Sequence, residues 1–218
     1  MKILRCFSIF IRLFIIKRIY KLETKNYIDD VVKIISKLPS LGKRSATRIA
    51  LKLIGEKEKT LPLLIQALTD LKENIKICKQ CGNYDTEDIC EICRNENRDK
   101  KVICVLPDVS ALIAMERTGY YNGLYHITGG LISALDGVEP EDLKINTLIT
   151  RCLSGEVEEI IFALPSVIEG KITQNYIKEK LPENIKTSEL AQGIPIGGEL
   201  DYLDEGTISE ALKGRKNL

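Results

Sequence analysis

Lys100 to Gly130 reads "KKVICVLPDVSALIAMERTGYYNGLYHITGG", and its alternating segments set the architecture. Lys100 to Pro107 is a short β-branched run and predicts a buried strand. "SALIAMERTG" follows with helical spacing and stops at Gly119. "GLYHIT" predicts a second strand, closed by Gly129 and Gly130. The same alternation continues downstream. "INTLITRCL" (145–153) predicts a helix, "VEEIIFALP" (157–165) a third strand, "KITQNYIKEKL" (171–181) a helix and "IKTSELA" (185–191) a short fourth strand. Alternating strands and helices imply an α/β fold with a parallel sheet covered on both faces.

Ligands of such sheets sit beyond the carboxyl ends of the strands. Those ends are Leu106 to Ser110, Thr128 to Gly130 and Leu164 to Gly170, and they offer the acids Asp108 and Glu169. His126, the only His, falls in a strand with no evident partner and reads as a core residue. "ITGG" and "IPIGGEL" lack the Gly-Lys-Ser/Thr ending of a phosphate loop and read as tight turns.

Upstream stands "CKQCGNYDTEDICEIC", with Cys78, Cys81, Cys90 and Cys93 in two C-x-x-C pairs. Four thiolates at this spacing can close a tetrahedral shell around one structural Zn²⁺ per chain, leaving no position for a catalytic water. C-x-x-C also serves redox chemistry, but two pairs this close favour zinc. Gly82 permits the tight turn beside the first pair, and the acidic spacer (Asp85, Glu87, Asp88) is a poor phosphate reader. Cys104, in a strand-like run, reads as a small buried residue. "LPLLIQALTDLKENIKI" before the cysteines predicts a helix from about Leu61 to Ile75.

Further upstream, "VVKIISKLPSLGKRSATRIALKLIG" holds two apolar runs at helical spacing, joined by Leu38-Pro39-Ser40-Leu41-Gly42. Pro39 turns Leu38 away from the helical region, and Gly42 allows a tight or left-handed turn. Lys33, Lys37, Lys43, Arg44 and Arg48 accompany the hairpin with no acid between residues 31 and 54. Amides of the hairpin and of the following helix start, with these cations, suit phosphate oxygens. Such contacts hold DNA, single- or double-stranded, without reading sequence, in a salt-sensitive manner. An ordinary solvated basic face, or a hairpin for oligomer contacts, is the alternative.

Charge is divided unevenly. The 218 residues carry a net +1, yet residues 1–54 hold thirteen Lys or Arg against three acids, leaving the remainder at about −9. A basic end points to an anionic partner, nucleic acid or a membrane surface. Hydrophobic content of 44% and charged content of 29% describe a soluble globular protein. Seven Cys, an odd number, with no secretory signal fit a reducing, cytoplasmic setting. Residues 1–26 are apolar and basic, but Arg5 and Arg12 interrupt any run approaching a membrane span. They read as an atypical extension: a membrane-surface helix, a transit peptide or a start assigned too far upstream. No stable membrane association is expected.

Taken in order, these segments closely resemble the bacterial RecR family of recombination proteins. The likeness runs from about Tyr27 to Arg215 and includes "ERTGYYNGLYHITGGLISALDGVEPEDL" and "IPIGGELDYLDEGTISEALKGR". It implies a helix–hairpin–helix region (27–77), a four-cysteine zinc finger (78–93), a Toprim-type domain (101–196) and a terminal assembly segment (197–218). The zinc ligands map onto Cys78, Cys81, Cys90 and Cys93. A Walker-B-like segment maps onto Tyr202, Leu203, Asp204 and Glu205. The resemblance implies a non-catalytic, nucleoid-associated DNA-repair adaptor, forming dimers or ring-like tetramers. It would work with RecO and RecF to help load RecA on gapped or single-stranded DNA. The sequence departs from the Toprim pattern twice: Pro107 stands at the usual acid after the first strand, with Asp108 beside it, and Lys171 follows Glu169 where relatives often carry a second acid. Depleted acids weigh against the alternative, a Mg²⁺-dependent Toprim enzyme that cleaves or joins nucleic acid.

Overall fold

The computed structural model describes residues 26–215; the reading of the N-terminal extension therefore lies, Asn26 apart, outside the described residues. The chain divides into two compact units at Glu73/Asn74.

The first unit is helical. Helix α1 (Tyr27–Ile35) starts at Asn26, whose side chain accepts from the Asp29 N–H, with Asp29 and Asp30 set against the positive end of the helix dipole. Helix α2 (Lys43–Gly55) packs on it through a small core of Val32, Ala46 and Ala50, backed by Ile35. Two alanines at i and i+4 let the helix axes approach closely. Helix α3 (Thr60–Asn74) matches the predicted helix to within a residue, and none of its residues is buried.

The hairpin differs from expectation in one detail. Gly42 is extended (φ −79°, ψ 169°) and N-caps α2. The left-handed residue is Ser40, at φ 62°. The turn thus needs its positive φ two residues earlier than the glycine that could supply it freely.

The second unit begins with a knuckle: strand β1 (Lys76–Ile77) pairs antiparallel with β2 (Tyr84–Asp85), followed by the short helix α4 (Glu91–Arg94). The body follows as β3 (Asp99–Leu106), α5 (Val109–Glu116), β4 (Gly123–Ile127), α6 (Ile145–Leu153), β5 (Glu159–Phe162), α7 (Ile168–Lys180) and β6 (Lys186–Glu189). The four strands form one sheet in the order β4-β3-β5-β6, every neighbour parallel. Register places Cys104 beside Tyr125 and Ile161, and Val105 beside Phe162.

Alternate strand residues feed two cores, one per face. Ile103, Val105, Leu124, Ile160 and Phe162 meet Leu148 and Cys152 of α6 and Ile177 of α7. Cys104, Leu106, Tyr125 and Ile127 meet Leu112 of α5. Both faces are therefore covered, as a parallel sheet requires. Cys104 is wholly buried, and burial pushes its thiol up to about 12.

Helix α7 begins three residues before the predicted start. Gly170 obscures that start, and packing explains it: a Cβ there would lie 2.0 Å from the Pro165 carbonyl oxygen. The tail ends in helix α8 (Glu205–Lys213), an element outside the sequence-based expectations. Among the described residues no helix is long and apolar enough to cross a membrane.

Candidate functional site

The four cysteines converge. Their sulfurs all lie within 4.8 Å of one another, and a tetrahedral shell with zinc–sulfur bonds of about 2.3 Å spaces its sulfurs by roughly 3.8 Å. Two backbone amides point at the sulfurs: Cys90 N–H at Cys78 Sγ (3.3 Å) and Asn83 N–H at Cys81 Sγ (3.4 Å). Such donors favour thiolates. Four thiols cannot all ionise side by side. With Cys81 Sγ and Cys90 Sγ 3.5 Å apart, the Cys90 thiol is drawn far below the usual range by its neighbours while that of Cys81 is pushed up to about 12. A divalent cation at the centre reverses that conflict by stabilising every thiolate at once. The donor set therefore fits a soft, tetrahedral metal.

The spacer is structural rather than a free acidic loop. The Asp85 carboxylate accepts from the amides of Thr86 (2.7 Å), Glu87 (3.2 Å) and Glu91 (2.8 Å), turning the chain into α4. Asp88 pairs with Lys76 at 3.2 Å and with Lys79. Gly82 has φ +85°, and a Cβ there would stand 3.0 Å from both the Ile127 carbonyl and Lys144 Nζ. The expected tight turn is present and is also a contact with the body.

That contact protects a sheet edge. Strand β4 is terminal in the sheet, so the outward groups of Gly123, Tyr125 and Ile127 have no neighbouring strand. Arg98 Nη1 donates to the Gly123 carbonyl (3.4 Å), Arg151 Nη1 to the Tyr125 carbonyl (2.8 Å), and the Ile127 amide donates to the Cys81 carbonyl (2.7 Å). Ile92 of the knuckle packs against the cysteine cluster and against both cores of the sheet. The cysteine module is thus riveted to β4. No sequence signal pairs these residues, because Arg151 and Tyr125 are 26 positions apart. His126 belongs to the same junction. It is fully buried, its Nε2 donates to the Lys144 carbonyl (2.8 Å), and burial pulls its pKa down to about 4. It is a satisfied core histidine.

The basic hairpin presents its charges outward. Lys33, Lys37, Lys43, Arg44 and Arg48 are all exposed, and among the described residues none of the five forms an ion pair. Gly42 has no side chain to cap α2, its surroundings are open to 4 Å, and no acid occupies the first turn. The first amides of α2 are therefore left for an external acceptor.

The Toprim positions do not form a carboxylate cluster. Asp108 N-caps α5, accepting from the Ala111 amide at 2.9 Å. Glu169 lies in the first turn of α7, half-buried. Lys171 Nζ meets Glu189 Oε2 at 2.7 Å. Among the described residues the four cysteines alone make a group of three or more metal-ligating side chains. In the tail, Leu200–Tyr202 is a 3₁₀ turn that leaves Tyr202 exposed and Leu203 half-buried. Asp204 caps α8, accepting from the Thr207 amide (3.0 Å) and hydroxyl (2.6 Å), and Glu205 opens the helix.

A cationic helical hairpin, a four-cysteine module and a parallel α/β sheet, in that order, are the modules that the resemblance to recombination proteins implies. Family models narrow that resemblance. The helix-hairpin-helix model of RecR matches residues 28–72, the four-cysteine zinc finger model of RecR 75–95, the Toprim domain model 101–191 and the C-terminal model of RecR 193–216. Recombination protein RecR of Paramagnetospirillum magneticum is 48% identical over 190 residues, 87% of this chain and 96% of that protein. RecR of Agrobacterium fabrum is 47% identical over 192 residues, 88% and 96% of the two chains, and RecR of Caulobacter sp. 44% over 190, 87% and 95%. The chain belongs to the RecR family, and its general role is in recombination and DNA repair.

Proposed function

We propose that this chain is a DNA-binding adaptor that forms a zinc-stabilised clamp in recombinational repair. It would act with RecO and RecF to help load RecA on gapped or single-stranded DNA, in the cytoplasm at the nucleoid. The observation that carries DNA binding is the exposed set Lys33, Lys37, Lys43, Arg44 and Arg48, unpaired among the described residues, around the start of α2, where no side chain caps the helix. These groups offer point charges and backbone donors to phosphate without any means of reading bases. One Zn²⁺ at Cys78, Cys81, Cys90 and Cys93 fixes the knuckle on β4 and leaves no open coordination position.

Self-assembly is supported by exposed apolar surface. Helix α3 exposes Leu63, Leu64, Ile65, Leu68 and Leu71, and the tail exposes Ile196 and Tyr202. Apolar patches of this kind mark interaction surfaces, here between copies that would close a dimer or ring. The test is binding of labelled single- and double-stranded DNA by the triple variant Lys43→Glu, Arg44→Glu, Arg48→Glu, with thermal unfolding as the folding control. A folded variant weakened at least tenfold on both DNA forms is expected. Unchanged affinity would remove the hairpin from DNA binding.

A further inference from the structure

The fold family implies a divalent cation beyond the carboxyl ends of β3 and β5, because Toprim catalysts hold Mg²⁺ with clustered carboxylates. The residues present do not fit one. Pro107, directly after β3, offers no ligand. Asp108 spends one oxygen on the α5 cap, and neither Asp108 nor Glu169 is among the residues that line the cleft where Lys171 and Glu189 meet. Glu189, at the end of β6, receives Lys171 Nζ at 2.7 Å and Gln174 Nε2 at 2.9 Å on the same oxygen. Lys171 also stands at the amino-terminal end of α7, where the helix dipole already opposes positive charge. Both features repel a second cation from the cleft of about 320 Å³ that Pro107, Leu164, Ser166, Lys171, Gln174 and Glu189 help to line.

We propose that Lys171 is the resident cation of this crevice. Its tethered ammonium takes the electrostatic place of the divalent ion, neutralises Glu189 and links the start of α7 to the end of β6. Being covalently attached, it competes with free Mg²⁺ at an effective concentration of order millimolar. The Toprim domain of this chain then keeps its shape and its contacts without Mg²⁺. The pair is half-exposed, at 45% and 44% of the side-chain surface, so the device acts by excluding metal rather than by adding stability.

Mn²⁺ is the probe. The zinc-loaded full-length protein is titrated with Mn²⁺ and free ion is followed by its paramagnetic resonance signal. Wild type is expected to take up no stoichiometric Mn²⁺. Lys171→Glu, which adds a carboxylate beside Glu189 and removes the charge, should bind one ion per chain at least about tenfold more tightly. Lys171→Met, which removes only the charge, should fall between them and keeps the test intact if Lys171→Glu does not fold. Wild-type uptake of one Mn²⁺ per chain that disappears in Asp108→Ala, Glu169→Ala would overturn the proposal. So would equal Mn²⁺ affinity in wild type and Lys171→Met.

Discussion

Removing the metal from the cysteine module should loosen the Toprim sheet along one particular edge. The perturbation is Cys90→Ser, at the most buried of the four cysteine residues, or chelation of the wild type. The knuckle's apolar packing is confined to its cysteines, Ile89 and Ile92. That is far less than the roughly 10–16 kcal/mol of apparent free energy that a structural zinc supplies to such a module. Without the ion, Ile92 leaves both sheet cores, at a cost of about 2–5 kcal/mol by comparison with large-to-small core substitutions. The Ile127 amide loses the Cys81 carbonyl, adding about 1 kcal/mol. A body that has about 5–15 kcal/mol to lose then remains folded but marginal, and its Tm falls by on the order of 10 °C. Hydrogen exchange read by mass spectrometry over Gly123–Thr128 is the assay. Peptides containing the Ile127 amide should exchange much faster, while those of β5, between β3 and β6, keep more of their protection. An exposed β4 edge should also aggregate. Unchanged Ile127 protection in metal-free protein would refute the riveting of module to sheet.

Other outcomes follow from individual contacts. Ser40→Gly should raise stability by about 0.5–1 kcal/mol, since the left-handed backbone costs serine more than glycine loses in chain entropy, and a lower Tm would contradict this. Gly82→Ala should cost about 1–3 kcal/mol and weaken zinc retention, because its φ is positive and its Cβ would press on Ile127 and Lys144; zinc content and urea unfolding report it. Arg98 beside Glu116 holds that carboxyl below its ordinary range, helped by the Tyr125 hydroxyl. A depressed folded pKa means that this stabilisation is complete above the unfolded value of about 4.3 and is lost as pH falls through the folded one. The stability difference between wild type and Glu116→Gln should therefore shrink below about pH 4, and a difference constant from pH 6 to 3 would contradict the assignment.

The body is legible in the sequence because its signals are local. Helix α6 falls on "INTLITRCL" end to end, and the strand from Lys100 is displaced from β3 by one residue. The cysteine spacing marks the cluster, since ligand chemistry fixes both residue type and interval. What escapes reading depends on contacts between distant residues. Gly170 looks like a break yet lies inside α7 because Pro165 leaves no room for a Cβ. The covering of β4 by Arg98, Arg151 and Cys81 joins parts of the chain that no local pattern connects. The sequence offers Gly42 as the flexible residue of the hairpin, but the backbone turns at Ser40, and local composition does not reveal which residue must go left-handed.

If the basic hairpin holds DNA through phosphates, the salt dependence of binding must show it. Each phosphate contact on duplex DNA contributes about −0.9 to the slope of log affinity against log salt. Contacts from Lys43, Arg44 and Arg48 thus contribute about −2.7 per hairpin, close to a fortyfold loss between 50 and 200 mM salt. Reversing these three charges in the folded, zinc-loaded protein should flatten the slope by at least that amount. Parallel slopes for wild type and variant would contradict it.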